Sequence, residues 1–536
     1  KGKVGAPAVN VKYTTGLTAR GIEEYDRVGV YDYYPLVWEA VRNGAYFAGT
    51  KTYAQAGLDA ANNIVSTLGY NAFNVPNNQL VSGVDGKLNP NASLLYGDDL
   101  NWWDGLIRTG VRQEVTTSIN GASEKSDYLF SAGYLDEQGA LINTGFKRYN
   151  ARLNLNSKPT TFLSTGINFA YTFSDYQNNS SADAAGSAYA NPFNFVTGMG
   201  PIYPVYAHNP TTGAYIIDPI TGERVYDSGA LGTKYGITFP SRSAGASSGR
   251  HVLAETLYNK TDQERHLISG RTYAQVDFLK DFNLRVNLSY DHNTREAYSF
   301  QNAIIGDASP SGSQSKTAYN ETSITLNQIL NYRKTVAKRH QFTALIGHEN
   351  YYLNARVLSG NKTGLIADGI NELDNFTTIG GLTSYQDNYR IESFFGEVKY
   401  NLDQKYYLTL TMRRDGSSKF RSDVRWGNFW SAGAAWLVNE ESFMKDVKWI
   451  NQLKLRASYG ETGSDGESYY GYQSLYNLKP NVNNPAYYLA AAANPDLSWE
   501  TNKTADIAVE FSLFQNRLRG SIEAFRRASS DLIFNV

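Results

Sequence analysis

Phe282-Asn283-Leu284-Arg285-Val286-Asn287-Leu288-Ser289-Tyr290 is the stretch on which the fold turns. Every even position is apolar or aromatic, and every odd position is polar or charged. A helix would spread both sets round its circumference, whereas an extended strand gives each set its own face. The preceding segment alternates too, with Thr272, Ala274, Val276 and Phe278 opposed by Arg271, Tyr273, Gln275 and Asp277. Only Leu279-Lys280-Asp281 separates the two runs, which is the spacing of a hairpin.

The unit recurs along the chain. Tyr149, Ala151, Leu153 and Leu155 alternate with Asn150, Arg152, Asn154 and Asn156, and a turn at Ser157–Thr160 leads to Leu163, Thr165, Ile167, Phe169 and Tyr171. Phe394, Gly396, Val398 and Tyr400 are followed across Leu402-Asp403-Gln404 by Tyr406, Leu408, Leu410 and Met412. Leu453–Tyr459, Ala505–Leu513 and Leu518–Ala524 repeat the pattern. Roughly fifteen such strands are expected, many near the ~10 residues that cross a bilayer when tilted. Short turns alternate with long polar connections, about Ser174–Gln263, Ala297–Asn320, Asn354–Asn388 and Glu461–Ser498. Gly- and Ser-rich runs such as Ser241–Gly249 are expected to build no core. Ahead of the repeats, Tyr34–Gly44 predicts a short helix stopped by its glycine and Tyr53–Leu68 an Ala-rich one. Both fall between a first strand near Val9–Tyr13 and a second near Gln113–Asn120.

Composition narrows the class. The 536 residues hold Lys+Arg 50 and Asp+Glu 51, so there is no basic footprint for nucleic acid. Cys is 0, which excludes disulfides, thiolate metal sites and cysteine nucleophiles. The 6 His form no close pair, so neither a zinc site nor any other cofactor is expected. No run approaches the ~20 apolar residues of a spanning helix. Mean hydropathy is -0.44, yet Tyr 40, Phe 24, Trp 8 and Gly 47 also suit a barrel that spends every second strand residue on lipid.

A soluble sandwich would alternate as well. Two features favour the membrane. The polar stripe repeatedly carries charge (Arg285, Glu397, Lys399, Arg413, Lys454, Arg456, Glu510), as a watery lumen allows. Aromatics (Tyr149, Tyr171, Tyr290, Tyr400, Tyr406, Tyr459) stand at strand ends, where a ring with one wet edge fits the headgroup level.

Several local sequences resemble the SusC/RagA family of TonB-dependent outer-membrane transporters. They run in order: Lys1–Gly5, Asn101–Gly110, Ser118–Ser123 with Gly133–Gly139 and Phe146–Tyr149, then Arg413-Arg414-Asp415-Gly416-Ser417-Ser418-Lys419-Phe420 with Arg425-Trp426-Gly427 and Ala434-Ala435-Trp436. Glu441–Lys445, Leu453–Gly460 and Asn494-Pro495-Asp496-Leu497-Ser498-Trp499-Glu500 complete the series.

The resemblance implies an all-β fold: a large transmembrane antiparallel β-barrel of about 22 strands when complete, with long extracellular loops and short periplasmic turns. Residues 1–7 would be the end of a plug domain and 8–536 the barrel, incomplete at its end, with 21–112 a partly helical connection after the first strand. With no initiator Met or signal peptide in view, and an end at Leu532–Val536 inside an apparent strand, the chain is expected to be a fragment. The implied activity is active import of a large nutrient, an oligosaccharide or oligopeptide, across the outer membrane of a Gram-negative bacterium. A SusD-like surface lipoprotein would be the lid, and TonB–ExbB–ExbD would supply energy through the plug. The alternatives are a passive porin or receptor barrel, or a soluble all-β glycan-binding protein.

Substrate contacts are expected from loop aromatics, whose flat rings stack on sugar or peptide faces. Tyr203 and Tyr206 lie among prolines; Tyr469, Tyr470, Tyr472, Tyr476, Tyr487 and Tyr488 cluster in the Glu461–Ser498 loop. No enzyme is expected. A glycosidase needs two carboxylates across one bond, and the adjacent pairs Asp98-Asp99, Glu440-Glu441 and Glu23-Glu24 point to opposite faces in a strand. No calcium-loop pattern occurs. Arg333–Arg339 is read as a solvated turn, and Asn179-Ser180-Ser181 fits a glycosylation pattern with no use in a bacterial outer membrane.

Overall fold

The computed structural model describes residues 6–22, 24–178, 191–482 and 484–534. Lys1–Gly5, Glu23, Asn179-Ser180-Ser181 and the last two residues therefore lie outside the described residues.

The strands in chain order are β1 (Ala8–Thr18), β2 (Gly110–Ala122), β3 (Ser126–Gln138), β4 (Gly145–Ser157), β5 (Leu163–Asn178), the short β6 (Thr233–Lys234) and β7 (Ile237–Thr238), β8 (Lys260–Phe278) and β9 (Phe282–Gln301). Then follow β10 (Ser313–Val336), β11 (His340–Leu365), β12 (Phe376–Leu402), β13 (Tyr406–Ser417), β14 (Trp426–Leu437), β15 (Ile450–Ser464), β16 (Leu475–Asn481), β17 (Asn484–Ala491), β18 (Glu500–Leu513) and β19 (Leu518–Ser530). Fifteen of them form one antiparallel sheet in chain order, from β1 to β19; β6–β7 and β16–β17 are separate ribbons. Among the described residues no register joins β1 to β19.

Because every neighbour is the next long strand, the connections fall alternately at two ends. One end carries tight links such as 279–281, 337–339, 403–405 and 514–517, with 438–449 between β14 and β15 the one longer connection among them. Three of these turn on left-handed pairs, Leu279-Lys280, Ala337-Lys338 and Asp403-Gln404, whose positive φ suits the twist of a two-residue hairpin. The basic run at 333–339 lies here. Arg339 clasps Asp403 of the next turn through two hydrogen bonds of 2.7 and 2.6 Å, and Lys334 pairs with Asp281.

The strands near the middle are longer than the alternation predicts. β10, β11 and β12 have 24, 26 and 27 residues, so the long connections shrink to 302–312 and 366–375. At ~3.3 Å per residue these strands extend far past what a ~25 Å apolar band needs. They run on past the band, where strict alternation fades although apolar residues such as Leu358, Ile379 and Leu382 remain exposed.

The apolar stripe faces outward. Leu284 is 39% exposed, Leu408 42% and Ile507 62%, and no protein element covers them among the described residues. Aromatic contacts mark one border of this band at Phe282–Tyr332, Phe342–Tyr400 and Tyr406–Trp436, and Trp430–Tyr459 marks the other.

The dry core lies elsewhere, at the end with the long connections. It joins α1 (Val30–Phe47), α2 (Tyr53–Leu68), α3 (Pro192–Gly198) and α4 (Val252–Tyr258) with segments of 69–107 and 199–246. Tyr34, Trp38, Phe73, Trp102, Ile202 and Leu253 are central to it. This corrects the expectation that these connections are polar and coreless: within the Ser- and Gly-rich run, Arg242 and Ala246 are buried. α2 matches its predicted bounds, fixed by a Thr52–Gln55 capping box and a left-handed Gly69. α1 runs on past Gly44, because packing of Tyr34 and Trp38 outweighs the weak stop. Trp38 donates from its indole N–H to the Gly57 carbonyl (2.8 Å), and a Cβ at Gly57 would come within 2.6 Å of the Gly83 oxygen. Only glycine lets α2 approach so closely.

Candidate functional site

The polar stripe forms a continuous hydrogen-bonded face. Asn287 Nδ2 donates to Asn327 Oδ1 (2.7 Å), and Asn327 Nδ2 donates to Glu349 (3.3 Å). Arg413 reaches across β12 to Glu349 (3.3 Å), donates to Ser393 Oγ (2.8 Å) and pairs with Asp415 (2.7 Å). The belt thus crosses β9 to β13. A second node surrounds Arg456, which pairs with Glu510 (3.0 Å), Asp506 and Glu523 (2.6 Å), while Lys454 holds Glu510 from β15 (3.1 Å). Such half-exposed pairs contribute only ~0–1 kcal/mol each to stability; the backbone ladder holds the wall. Their chemical capacity is to exchange hydrogen bonds with a polar solute.

At the mouth, the 465–499 connection is pinned to this face by Asp465. Its carboxylate accepts from the Tyr389 hydroxyl (2.6 Å), Ser417 Oγ (2.7 Å) and Lys419 Nζ (3.3 Å). Lys419 is 8% exposed, with its ammonium 4.8 Å from the Tyr389 ring centre and 5.2 Å from that of Tyr469. A buried cation is tolerated there because a carboxylate and two ring faces surround it. Phe420, fully buried, meets Trp499 edge-on at 5.5 Å, and Trp499 donates to the Arg425 carbonyl (2.7 Å). The segments 413–420, 425–427 and 494–500 are therefore one joint in space. Asp465 was not singled out by the sequence; its partners 46 to 76 residues away are visible only in the fold.

The predicted aromatics separate into three places. Tyr203 is 2% exposed and donates its hydroxyl to the Leu68 carbonyl (2.9 Å) inside the cap core. Its ring has no face free for solute, which corrects the expectation. Burial raises its hydroxyl pKa. Tyr206 stacks on Tyr226 at 5.2 Å against the same core, with Arg224 5.4 Å from its ring centre, so it too is a packing residue. Tyr469 and Tyr470 line the mouth: Tyr469 is edge-on to Tyr389 at 5.8 Å, and the Tyr470 hydroxyl accepts from the Asn388 amide (3.1 Å). Tyr476, Tyr487 and Tyr488 stand exposed on the β16–β17 ribbon, and Tyr472 lies in the segment leading to it.

The carboxylate pairs have structural partners. Asp99 accepts from His208 (2.9 Å) and the Tyr206 amide (2.8 Å), and Asp98 from Tyr215 (3.1 Å). Glu441 accepts from Tyr406 (2.6 Å) and Trp436 (3.2 Å). In the cap, buried Asp227 accepts from Tyr70 (2.6 Å) and the Gly229 amide (2.7 Å); loss of water raises its pKa despite the Arg242 charge nearby. His251 is wholly buried: Nε2–H donates to the Val205 carbonyl (2.6 Å) and Nδ1 accepts from the Ala254 amide (3.1 Å). Burial holds it neutral, with its pKa lowered to about 3.

A wall of tilting strands, apolar outside and charged inside, with long connections gathered at one end, defines an outer-membrane β-barrel with a wide polar lumen. The family model described as TonB dependent receptor-like, beta-barrel matches residues 206–536, and the chain belongs to that family. Among curated relatives, it is 28% identical over 483 residues to the TonB-dependent receptor SusC of Bacteroides thetaiotaomicron, covering 83% of this chain and 44% of SusC. It is 27% identical over 461 residues to the TonB-dependent receptor P26 of Formosa agariphila, covering 83% of this chain and 42% of P26. The chain thus spans under half the length of the curated relatives it matches. The RagAB peptide transporter has the same fold, with a TM-score of 0.72 at 22% identity, over 100% of this chain and 56% of that one. The resemblance to the SusC/RagA family is borne out, and with it the outer membrane of a Gram-negative bacterium as the location.

Proposed function

We propose that the whole protein imports a large polar nutrient, an oligosaccharide or an oligopeptide, by TonB-dependent active transport. In this reading residues 8–536 are barrel wall and loops, 1–7 lead from a plug, and a SusD-like lipoprotein closes the mouth. The carrying observation is the belt from Asn287 to Asp415, which offers donors and acceptors of both signs along the lumen face below a mouth bordered by Tyr469 and Tyr470. A polar solute exchanges water for such groups at small cost. Selectivity in a wide lumen rests on the side chains of its wall and loops. Tyr476, Tyr487 and Tyr488 are the remaining ring faces for solute or lid.

The test is uptake in the native host. Cells carrying the intact gene should accumulate labelled oligosaccharide or oligopeptide, and deletion of this gene or of TonB should abolish accumulation equally. Uptake that persists without TonB would mean a passive pore. A partner that co-purifies with the full-length protein and covers the loop end would identify the lid.

A further inference from the structure

On the outer surface an apolar groove within the lipid-facing band adjoins a basic recess toward the end with long connections. The groove, of about 630 Å³, is lined by Leu284, Leu330, Ile346, Phe394 and Met412, with Gln328 and His348 on its rim. Arg414 closes its upper end, 5.2 Å from the ring centre of Trp426. Beyond Trp426 lies the recess, of about 560 Å³, lined by Tyr352, Arg390, Ser418, Ser422, Arg425 and Trp426. Arg390 lies 5.1 Å from the Tyr352 ring centre.

Three guanidinium groups therefore share one small area. Among the described residues no carboxylate lies within ion-pair distance of Arg390, Arg414 or Arg425, and Arg425 Nε is buried without an acceptor. Glu392 lines the same recess, but it is turned to His348 (Nε2 to Oε1 3.2 Å). On the strands Arg413 and Arg456 pair with acids, and Arg265 and Arg285 donate instead to the side-chain amides of Asn293 and Asn287. Unpaired cations this close repel one another and hold the site open for an anion.

Register gives the depth. Val286, Gln328, His348, Phe394 and Arg414 are successive partners in one row from β9 to β13. Neighbouring strands lie ~4.8 Å apart and tilt by ~40°, so a row climbs about 12 Å over the four spacings from β9 to β13. Val286 is at mid-band while Arg414 is at its upper border. The groove thus opens to hydrocarbon and the arginines stand where headgroups lie.

The geometry points to a binding site for a phosphorylated outer-leaflet glycolipid, an acyl chain in the Leu284–Met412 groove and a phosphate on Arg390, Arg414 and Arg425. Planar guanidinium groups bind phosphate oxygens in pairs, and the aromatic planes beneath Arg390 and Arg414 hold them in place. The lipid would rest against β9 to β13, next to the joint that pins the mouth.

The test is native mass spectrometry of the full-length protein released from detergent with lipid A, with phosphatidylcholine as the uncharged-net control. One lipid A per chain should remain on the wild type. Arg390→Gln/Arg414→Gln/Arg425→Gln should lower that fraction at least tenfold, leave phosphatidylcholine unchanged, and keep the heat-modifiable gel mobility of a folded barrel. If the triple variant misfolds, Met412→Trp, which fills the groove with all arginines present, should lower retention by itself. Equal retention in the variants, no lipid A on the wild type, or complete displacement by millimolar inorganic phosphate would overturn the proposal.

Discussion

Leu455 and Val509 stand opposite each other across β15 and β18 on the outer surface, while their neighbours Lys454 and Glu510, also opposite, form an ion pair on the inner one. One residue of slip would place the charges in lipid and the aliphatics in water. Register is therefore fixed by the surroundings as much as by the ladder.

The same contrast is testable on β13. Leu410→Arg puts a charge in the apolar band and should destabilise the folded barrel in liposomes by about 2–4 kcal/mol. Thr411→Arg, facing the lumen beside Ser431, should cost under about 1.5 kcal/mol, the loss of one hydrogen bond. Urea titration in lipid measures both; equal penalties would contradict the two-faced wall.

The cap should unfold apart from the wall. Trp102 is 1% exposed, with its ring near Phe195 (5.2 Å) and His251 (4.7 Å). Trp102→Ala should cost the cap about 3–5 kcal/mol. Proteolysis within 19–109 and 191–259 should rise, while heat-modifiable mobility of the barrel stays unchanged.

Acid should weaken the cap through His251. Its folded pKa of about 3 lies below its ordinary 6.5. The unfolded chain takes up a proton below pH 6.5 that the folded chain refuses until about 3, so stability is full above 6.5 and falls with pH across that window. Asp227, whose pKa is raised, acts in the opposite sense in acid. Between pH 7.5 and 5.5 the wild type should lose about 1.4 kcal/mol relative to His251→Gln. Pulse proteolysis in urea at the two pH values measures the difference.

Removing Asp465 strands the Lys419 ammonium. Asp465→Ala should cost about 3–5 kcal/mol locally and release the 465–499 connection. A spin label at Tyr472 should become mobile in the variant and stay constrained in the wild type; equal mobility would contradict the pinning role.

The wall was legible because lipid and water act on alternate residues from Phe282 to Tyr290. It stopped being legible at Asp291-His292-Asn293, where β9 continues with water on both sides. The left-handed turns at Leu279-Lys280 and Ala337-Lys338 use residues that announce no such turn. The two helices of the cap were legible, but the rest of its core was not, because Tyr70–Leu106 and Phe195–Ala246 contribute apolar residues from short segments with no shared period. A tyrosine among prolines, such as Tyr203, reads alike whether its ring meets a core or a solute. The segment 413–420 was legible as a resemblance, but the role of Lys419 depends on Asp465, far along the chain.

Which stripe of each strand meets hydrocarbon can be measured directly. Because this chain has Cys 0, it adds no background label of its own, and any cysteine elsewhere in the full-length protein is replaced by serine first. Labels at each position from 406 to 413, in the full-length protein in bilayers, would be scored for collision with oxygen and with a water-soluble nickel chelate. Positions 408, 410 and 412 should favour oxygen, and 407, 409, 411 and 413 should favour nickel, with a period of two. Loss of the alternation, or even positions shielded from both reagents, would contradict the lipid-facing wall.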